Sequence, residues 1–177
     1  MTSVRESGQH AGLASPVAEL AAEEMAAWRA FLHAHARLTR RLDDELQATT
    51  SLSLAEYDAL VQLANTPGRR LRMSVLAERV VLSRSGITRL VDRLVAGGMV
   101  ERTACPTDAR GAEAALTPVG VDALRAATGT HISGVRRYFL DATTADEQAV
   151  IAGALDRVSE GLGRTQPTSE LCAPQKG

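Results

Sequence analysis

The segment from Ser83 to Gly98 limits what this chain can fold into more than any other stretch. Ser83 stands where an N-cap is needed, and Gly97-Gly98 stands where a helix stops. Between them Ile87, Leu90, Val91 and Leu94 recur at i, i+3, i+4 and i+7, the spacing of one buried helix face. At about 100° per residue, Ser85, Arg89 and Asp92 fall on the opposite side, flanked by Thr88 and Arg93. The spacing predicts a helix over residues 84–96 that packs its apolar side and turns Ser, Thr and Arg to water.

Its neighbours narrow the choice further. Ser53-Leu54-Ala55-Glu56 reads as a capping box that opens a helix with Leu54, Tyr57, Leu60, Val61 and Ala64 on one side. Asn65-Thr66-Pro67-Gly68 ends that helix. Residues 71–73 read as short and extended. Ser74 then begins a brief helix with Leu76, Ala77 and Val80 inward, and a tight turn leads to Ser83. Beyond Gly98, residues 99–102 and 112–116 read as two extended stretches around a polar tip, 103–111, kinked by Pro106. Two helices joined by a tight turn form a helix-turn-helix pattern. The hairpin after it makes residues 51–117 a winged helix.

Two longer helical regions flank this domain. Pro16 opens the first, which runs to about residue 47 with Trp28, Phe31, Leu32, His35, Leu38, Leu42 and Leu46 on one face. Thr117-Pro118 opens the second, with Thr as cap and Pro in the first turn. It carries Val119, Leu124, Ala127, Val135 and Phe139 to about residue 140, and Gly129 and Gly134 are expected to weaken or bend it. Thr144-Ala145-Asp146-Glu147 is a second capping box, before a last helix with Val150, Ile151, Leu155, Val158 and Leu162. One winged domain does not cover all these stripes, so residues 16–50 and 118–162 are expected to form a homodimerisation region. Residues 1–15 and 163–177 are expected to be a flexible arm and tail. The expected fold is mainly α with a small β-hairpin wing.

Composition excludes several classes. With 3% aromatic residues and 30 alanines, the chain favours helices over sheets. No run approaches the roughly 18–20 apolar residues of a membrane span, and no charged start precedes an apolar stretch. A soluble, cytoplasmic protein without a membrane partner is expected. Cys105 and Cys172 make no disulfide framework. There is no nucleophile-base-acid set and no Gly-rich phosphate loop. His33 and His35 are two apart and diverge on a helix, and His131 has no H-x-x-x-H partner. No enzyme, cofactor or metal site is expected.

The net charge of −1 conceals an asymmetry. From Arg69 to Arg110 there are nine Arg against Glu78, Asp92, Glu101 and Asp108, a net of +5. The remaining 11 cations and 17 acids leave −6 elsewhere. One basic segment in a near-neutral chain marks a localised polyanion site, or a solvated basic face without a partner. Double-stranded DNA suits the first reading. The helix N-terminus near Ser83, Ser85 and Thr88 offers donors to phosphates or base edges, and Arg84, Arg89 and Arg93 add charge. A hairpin tip carrying Arg110 reaches a minor groove.

In these residues the chain resembles the MarR family of winged-helix transcriptional regulators, over roughly residues 20–162. Five blocks carry the likeness in order: residues 71–77 (LRMSVLA), 83–94 (SRSGITRLVDRL), 98–102 (GMVER), 108–111 (DARG) and 116–120 (LTPVG). The resemblance implies a dimeric regulator, a repressor by our reading, on a pseudo-palindromic site. It implies DNA contacts from Ser83, Arg84, Ser85, Thr88 and Arg89. Arg110 would enter the minor groove, oriented by Asp108. Arg93 would bind phosphate or pair with a wing acid.

Many members of the family release DNA when a small anionic aromatic compound binds. Trp28 and His35 share a face, and Tyr57 lies inward on the next helix, so these three are the candidate contacts for a phenolic or aromatic carboxylate. The competing reading makes them packing residues. Two alternatives to this function stand: a winged-helix interaction module with no DNA target, and a thiol-responsive regulator using Cys105 near Arg102. Peroxide-sensing members carry their reactive Cys on the first helix, and this first helix has none.

Overall fold

A computed structural model describes residues 20–105 and 108–162, and the side chains of residues 105 and 108–110 are outside that description. The expected arm at 1–15 and tail at 163–177 fall outside the described residues as well. In chain order the elements are α1 (Ala22–Thr50), α2 (Leu54–Ala64), β1 (Arg70–Arg72), α3 (Met73–Arg79), α4 (Arg84–Ala96), β2 (Val100–Cys105), β3 (Asp108–Leu116), α5 (Pro118–Tyr138) and α6 (Ala145–Gly161). Short 3-10 turns lie at Pro67–Arg69 and Leu140–Ala142. The chain divides within α1, between His35 and Ala36, into two units.

The first unit contains the N-terminal half of α1. Glu23 and Glu24 sit in its first turn, where carboxylates complement the helix dipole. Trp28 stacks on Phe31 with ring centroids 6.1 Å apart, and Phe31 stacks on His35 at 6.2 Å. Trp28, Phe31 and Leu32 are all exposed.

The second unit holds a core built from every element of the winged region. Leu60 and Leu63 of α2, Leu71 of β1, Leu76 of α3, and Leu90 and Leu94 of α4 are completely or almost completely buried. Each contributes about 1.5–3 kcal/mol by leaving water. Both capping boxes form as the sequence predicts, Ser53 with Glu56 and Thr144 with Glu147. Asp43 of α1 accepts a hydrogen bond from the Leu54 N–H at 2.6 Å, which ties α1 to the first turn of α2.

Four sequence expectations change. The sheet has three antiparallel strands in the order β1-β3-β2, not two. Leu71 pairs with Ala114 and Val100 with Leu116. The expected tip at 103–111 is largely strand, because Thr103 faces Glu113 and Ala104 faces Ala112 before the register shifts at Cys105. Met73 already belongs to α3, and α1 continues to Thr50. Gly134 has a packing role within α5: a Cβ there would stand 2.6 Å from Leu42 Cδ2, so the glycine lets α5 approach α1 closely.

Candidate nucleic-acid interface

The local chemistry of α4 sets the interface. Ser83 is its N-cap, and Ser83 Oγ accepts from the Gly86 N–H at 3.1 Å. Ser83 Oγ lies 3.2 Å from Ser85 Oγ, so a pair of exposed hydroxyls sits at the helix start. Ile87, Leu90, Val91 and Leu94 are buried, as their spacing requires. Ser83, Arg84, Ser85 and Arg89 are exposed as a consequence. Thr88 is half-buried and donates to the Arg84 carbonyl at 2.9 Å, which leaves its oxygen as an acceptor.

Beside this face runs a groove of about 340 Å³, walled by Arg72, Met73 and Ser74 at the start of α3, by Arg84, Ile87 and Thr88 of α4, and by Gly111 and Ala112 of β3. It brings Arg84 and Thr88 together with Arg72 and Ser74, which motif reasoning did not select. The signal for Arg72 lay in the basic run from Arg69 to Arg110. Cys105, Asp108 and Arg110 lie on the wing strands, and their side chains are outside the described residues.

Two ion pairs brace the far half of α4. Asp92 accepts from Arg102 of β2 at 2.8 Å. Arg93 Nε donates to Glu56 of α2 at 2.6 Å, so its partner is neither a wing acid nor an element the sequence suggested. Glu56 was legible only as a capping residue. Its carboxyl is pushed up by burial, but the Ser53 N–H and Arg93 bring it, on balance, below its ordinary value. Arg84 and Arg89 make no ion pair among the described residues.

The three candidate effector residues have different settings. Trp28 and His35 belong to the ladder on α1, with Phe31 between them. Tyr57 is buried, its ring 4.5 Å from that of His131 on α5. His131 Nδ1 is buried with no hydrogen-bond partner among the described residues. Burial lowers the His131 pKa, and Asp58 partly opposes the shift. Among the described residues no cluster of His, Cys, Asp or Glu is arranged to hold a metal ion, and no helix is long and apolar enough to cross a membrane.

An N-capped helix with exposed Ser and Arg, preceded by a short helix and a tight turn and followed by a hairpin that β1 completes to three strands, defines a winged helix-turn-helix protein. Comparison with known proteins assigns the family. Residues 50–111 match the MarR family model. A MarR family transcriptional regulator from Streptomyces coelicolor, solved in complex with DNA, is 35% identical, with a TM-score of 0.79 over 88% of this chain and 98% of that one. AbsC, a MarR family regulator from the same organism, is 32% identical, with a TM-score of 0.76 over 82% and 98% of the two chains. A transcriptional regulatory protein for the hcr operon of Thauera aromatica is 34% identical over 85 residues, 48% of this chain. The match spans only about half the length of that curated relative (50%). The chain belongs to the MarR family of DNA-binding transcriptional regulators.

Proposed function

We propose that this protein is a cytoplasmic transcriptional repressor that binds a pseudo-palindromic operator as a homodimer. The observation that carries the reading is the exposed row Ser83, Arg84, Ser85 and Arg89 on a helix whose other face is locked in the core. Such a helix enters a major groove, where Arg reads guanine bidentately and hydroxyls reach phosphate. Thr88 adds an acceptor, while Arg110 reaches the minor groove and Asp108 orients it. The DNA-bound Streptomyces relative supports this mode of action. The protein works by binding, not by catalysis.

A second copy covers the remaining apolar surface. Trp28, Phe31 and Leu32 on α1 are exposed, as are Val150, Leu155 and Val158 on α6 and Leu162 just after it. Two-fold pairing of such helices places two recognition helices on two half-sites. The effector is a small phenolic or aromatic carboxylate. The stacked Trp28, Phe31 and His35 offer it an aromatic surface next to a titratable donor.

The test is binding of the purified protein to DNA upstream of its own coding region, beside a scrambled duplex, at two salt concentrations. Tight, selective binding of one dimer, weakening steeply with salt, is the expected result. Arg89→Ala and Arg110→Ala should each lower affinity more than tenfold and leave the dimer intact. No binding to any duplex at low salt would instead point to an interaction module.

A further inference from the structure

Glu56 and Arg93 meet at the joint between α2 and α4. The Glu56 side chain is only 10% exposed, and both carboxylate oxygens are taken. Oε2 accepts from the N–H and the hydroxyl of Ser53, closing the α2 capping box, and Oε1 accepts from Arg93 Nε at 2.6 Å. Withdrawing Arg93 Nε from Glu56 would strand a charge in a nearly buried site, so the pair holds even though the rest of the Arg93 side chain is 60% exposed. Arg93 lies about 14 Å along the helix axis from Arg84, at the end of α4 away from the exposed hydroxyls. Its neighbour Asp92 is tied to β2 through Arg102. One half of α4 is therefore clamped on two sides, while the other half carries the residues that face DNA.

We infer that Glu56 is a positioning residue for DNA recognition: by holding Arg93 against the start of α2, it sets the angle at which residues 83–89 are presented. The inference rests on the regulator reading above. Simple charge makes the opposite demand of Glu56. Removing an acid beside a DNA-binding helix favours a polyanion, whereas removing a positioning residue weakens recognition.

The experiment measures affinity against salt concentration for a duplex that the wild-type protein selects from a random pool, and for a scrambled duplex of equal length. The proteins are wild type, Glu56→Gln, Arg93→Met, Arg93→Lys and the Glu56→Gln/Arg93→Met double variant, each checked by thermal unfolding. Glu56→Gln keeps the α2 cap, because Gln serves at that position of a capping box. Glu56→Gln and Arg93→Met should each lose at least about tenfold affinity for the selected duplex, since misorientation disables several contacts at once. Both should keep the wild-type salt slope, and Glu56→Gln should bind scrambled DNA at least as tightly as wild type. The double variant should be no worse than either single one, and Arg93→Lys should restore most of the affinity.

Two results overturn the inference while the regulator reading stands. One is a Glu56→Gln protein that binds the selected duplex as tightly as wild type, or more tightly. The other is an Arg93→Met protein whose salt slope falls by about one while both duplexes weaken alike, the signature of a lost phosphate contact. A wild-type protein that selects no duplex overturns the regulator reading and this inference with it. A selective wild type with an unimpaired Glu56→Gln variant overturns the positioning role alone.

Discussion

Val81 and Gly98 occupy the same backbone position in two copies of one motif. After α3, the Leu82 N–H bonds to the Ala77 carbonyl and the Val81 N–H to Glu78; after α4, Met99 bonds to Leu94 and Gly98 to Val95. Both are Schellman endings, and both need a left-handed residue at the turn. Val81 has φ 56° and Gly98 has φ 69°. Glycine takes that conformation freely, while a β-branched side chain is strained there.

The strain at Val81 should be recoverable. Its side chain is 88% exposed, so little packing is lost on removing it. A left-handed residue with a Cβ costs about 1–2 kcal/mol, and glycine's extra chain entropy takes back about half of that. Val81→Gly should therefore raise the unfolding free energy by about 0.5–1 kcal/mol in urea titration. Gly98→Ala should lower it by about 1 kcal/mol, and by conformation alone, because a Cβ there meets nothing within 4 Å. Val81→Gly proteins that unfold earlier than wild type would contradict the strain argument.

Two glycines of α5 should respond in opposite directions. Gly129 has open space where a Cβ would go, so Gly129→Ala should stabilise the helix by up to about 1 kcal/mol. At Gly134 a Cβ would stand 2.6 Å from Leu42 Cδ2 and 3.3 Å from Glu45 Oε2. Gly134→Ala should destabilise by about 1–3 kcal/mol, the range for an overpacked contact. It should also disturb Tyr138, which donates to Glu45 and accepts from Arg41. Equal shifts of both variants in chemical denaturation would remove the close approach from the explanation.

These positions show what local sequence carries. The caps at Ser53, Ser83, Thr117 and Thr144 and the buried stripe of α4 were legible because each depends on residues within a turn or two of one another. The extended stretch of β1 was read too, but its place in the sheet was not, since Leu71 finds Ala114 only through the fold. The wing strands were read too short because residues 103–105 and 108–111 hold no large apolar side chain to mark a buried face. Gly134 read only as a weak or bent point of its helix until Leu42 was seen against it. The Glu56 partner of Arg93 was hidden for the same reason: a pair 37 residues apart in sequence leaves no spacing to read.

The His131–Tyr57 pair should make stability depend on pH. Burial lowers the His131 pKa from its ordinary 6.5, with Asp58 acting the other way. The unfolded chain therefore takes up the proton first. The stabilisation is complete above about 6.5 and is lost as pH falls from there through the lowered folded value. His131→Phe keeps a ring against Tyr57 but cannot titrate. At pH 7.5 it should be at least as stable as wild type, because it removes a buried nitrogen that has no partner among the described residues. Between pH 6.5 and 5 it should lose less stability than wild type. Parallel stability curves for the two proteins would rule out His131 as the source.

Arg84 and Arg89 should fail differently on DNA. Arg84 walls the groove between α4, α3 and β3, where Arg72 and Ser74 also converge. Two arginines and a serine in one groove suit a phosphate of the DNA backbone. Arg89 stands on the exposed side opposite Val91, further along the helix. Arg84→Ala should thus weaken binding to operator and scrambled duplexes alike and lower the salt slope by about one. Arg89→Ala should cost about 1–3 kcal/mol on the operator and little on scrambled DNA, since a lost base contact reduces discrimination. Fluorescence anisotropy at three salt concentrations separates the two. If both variants changed the slope equally and left the operator preference intact, both arginines would be phosphate contacts, and base reading would fall to the hydroxyls of α4 and to the wing.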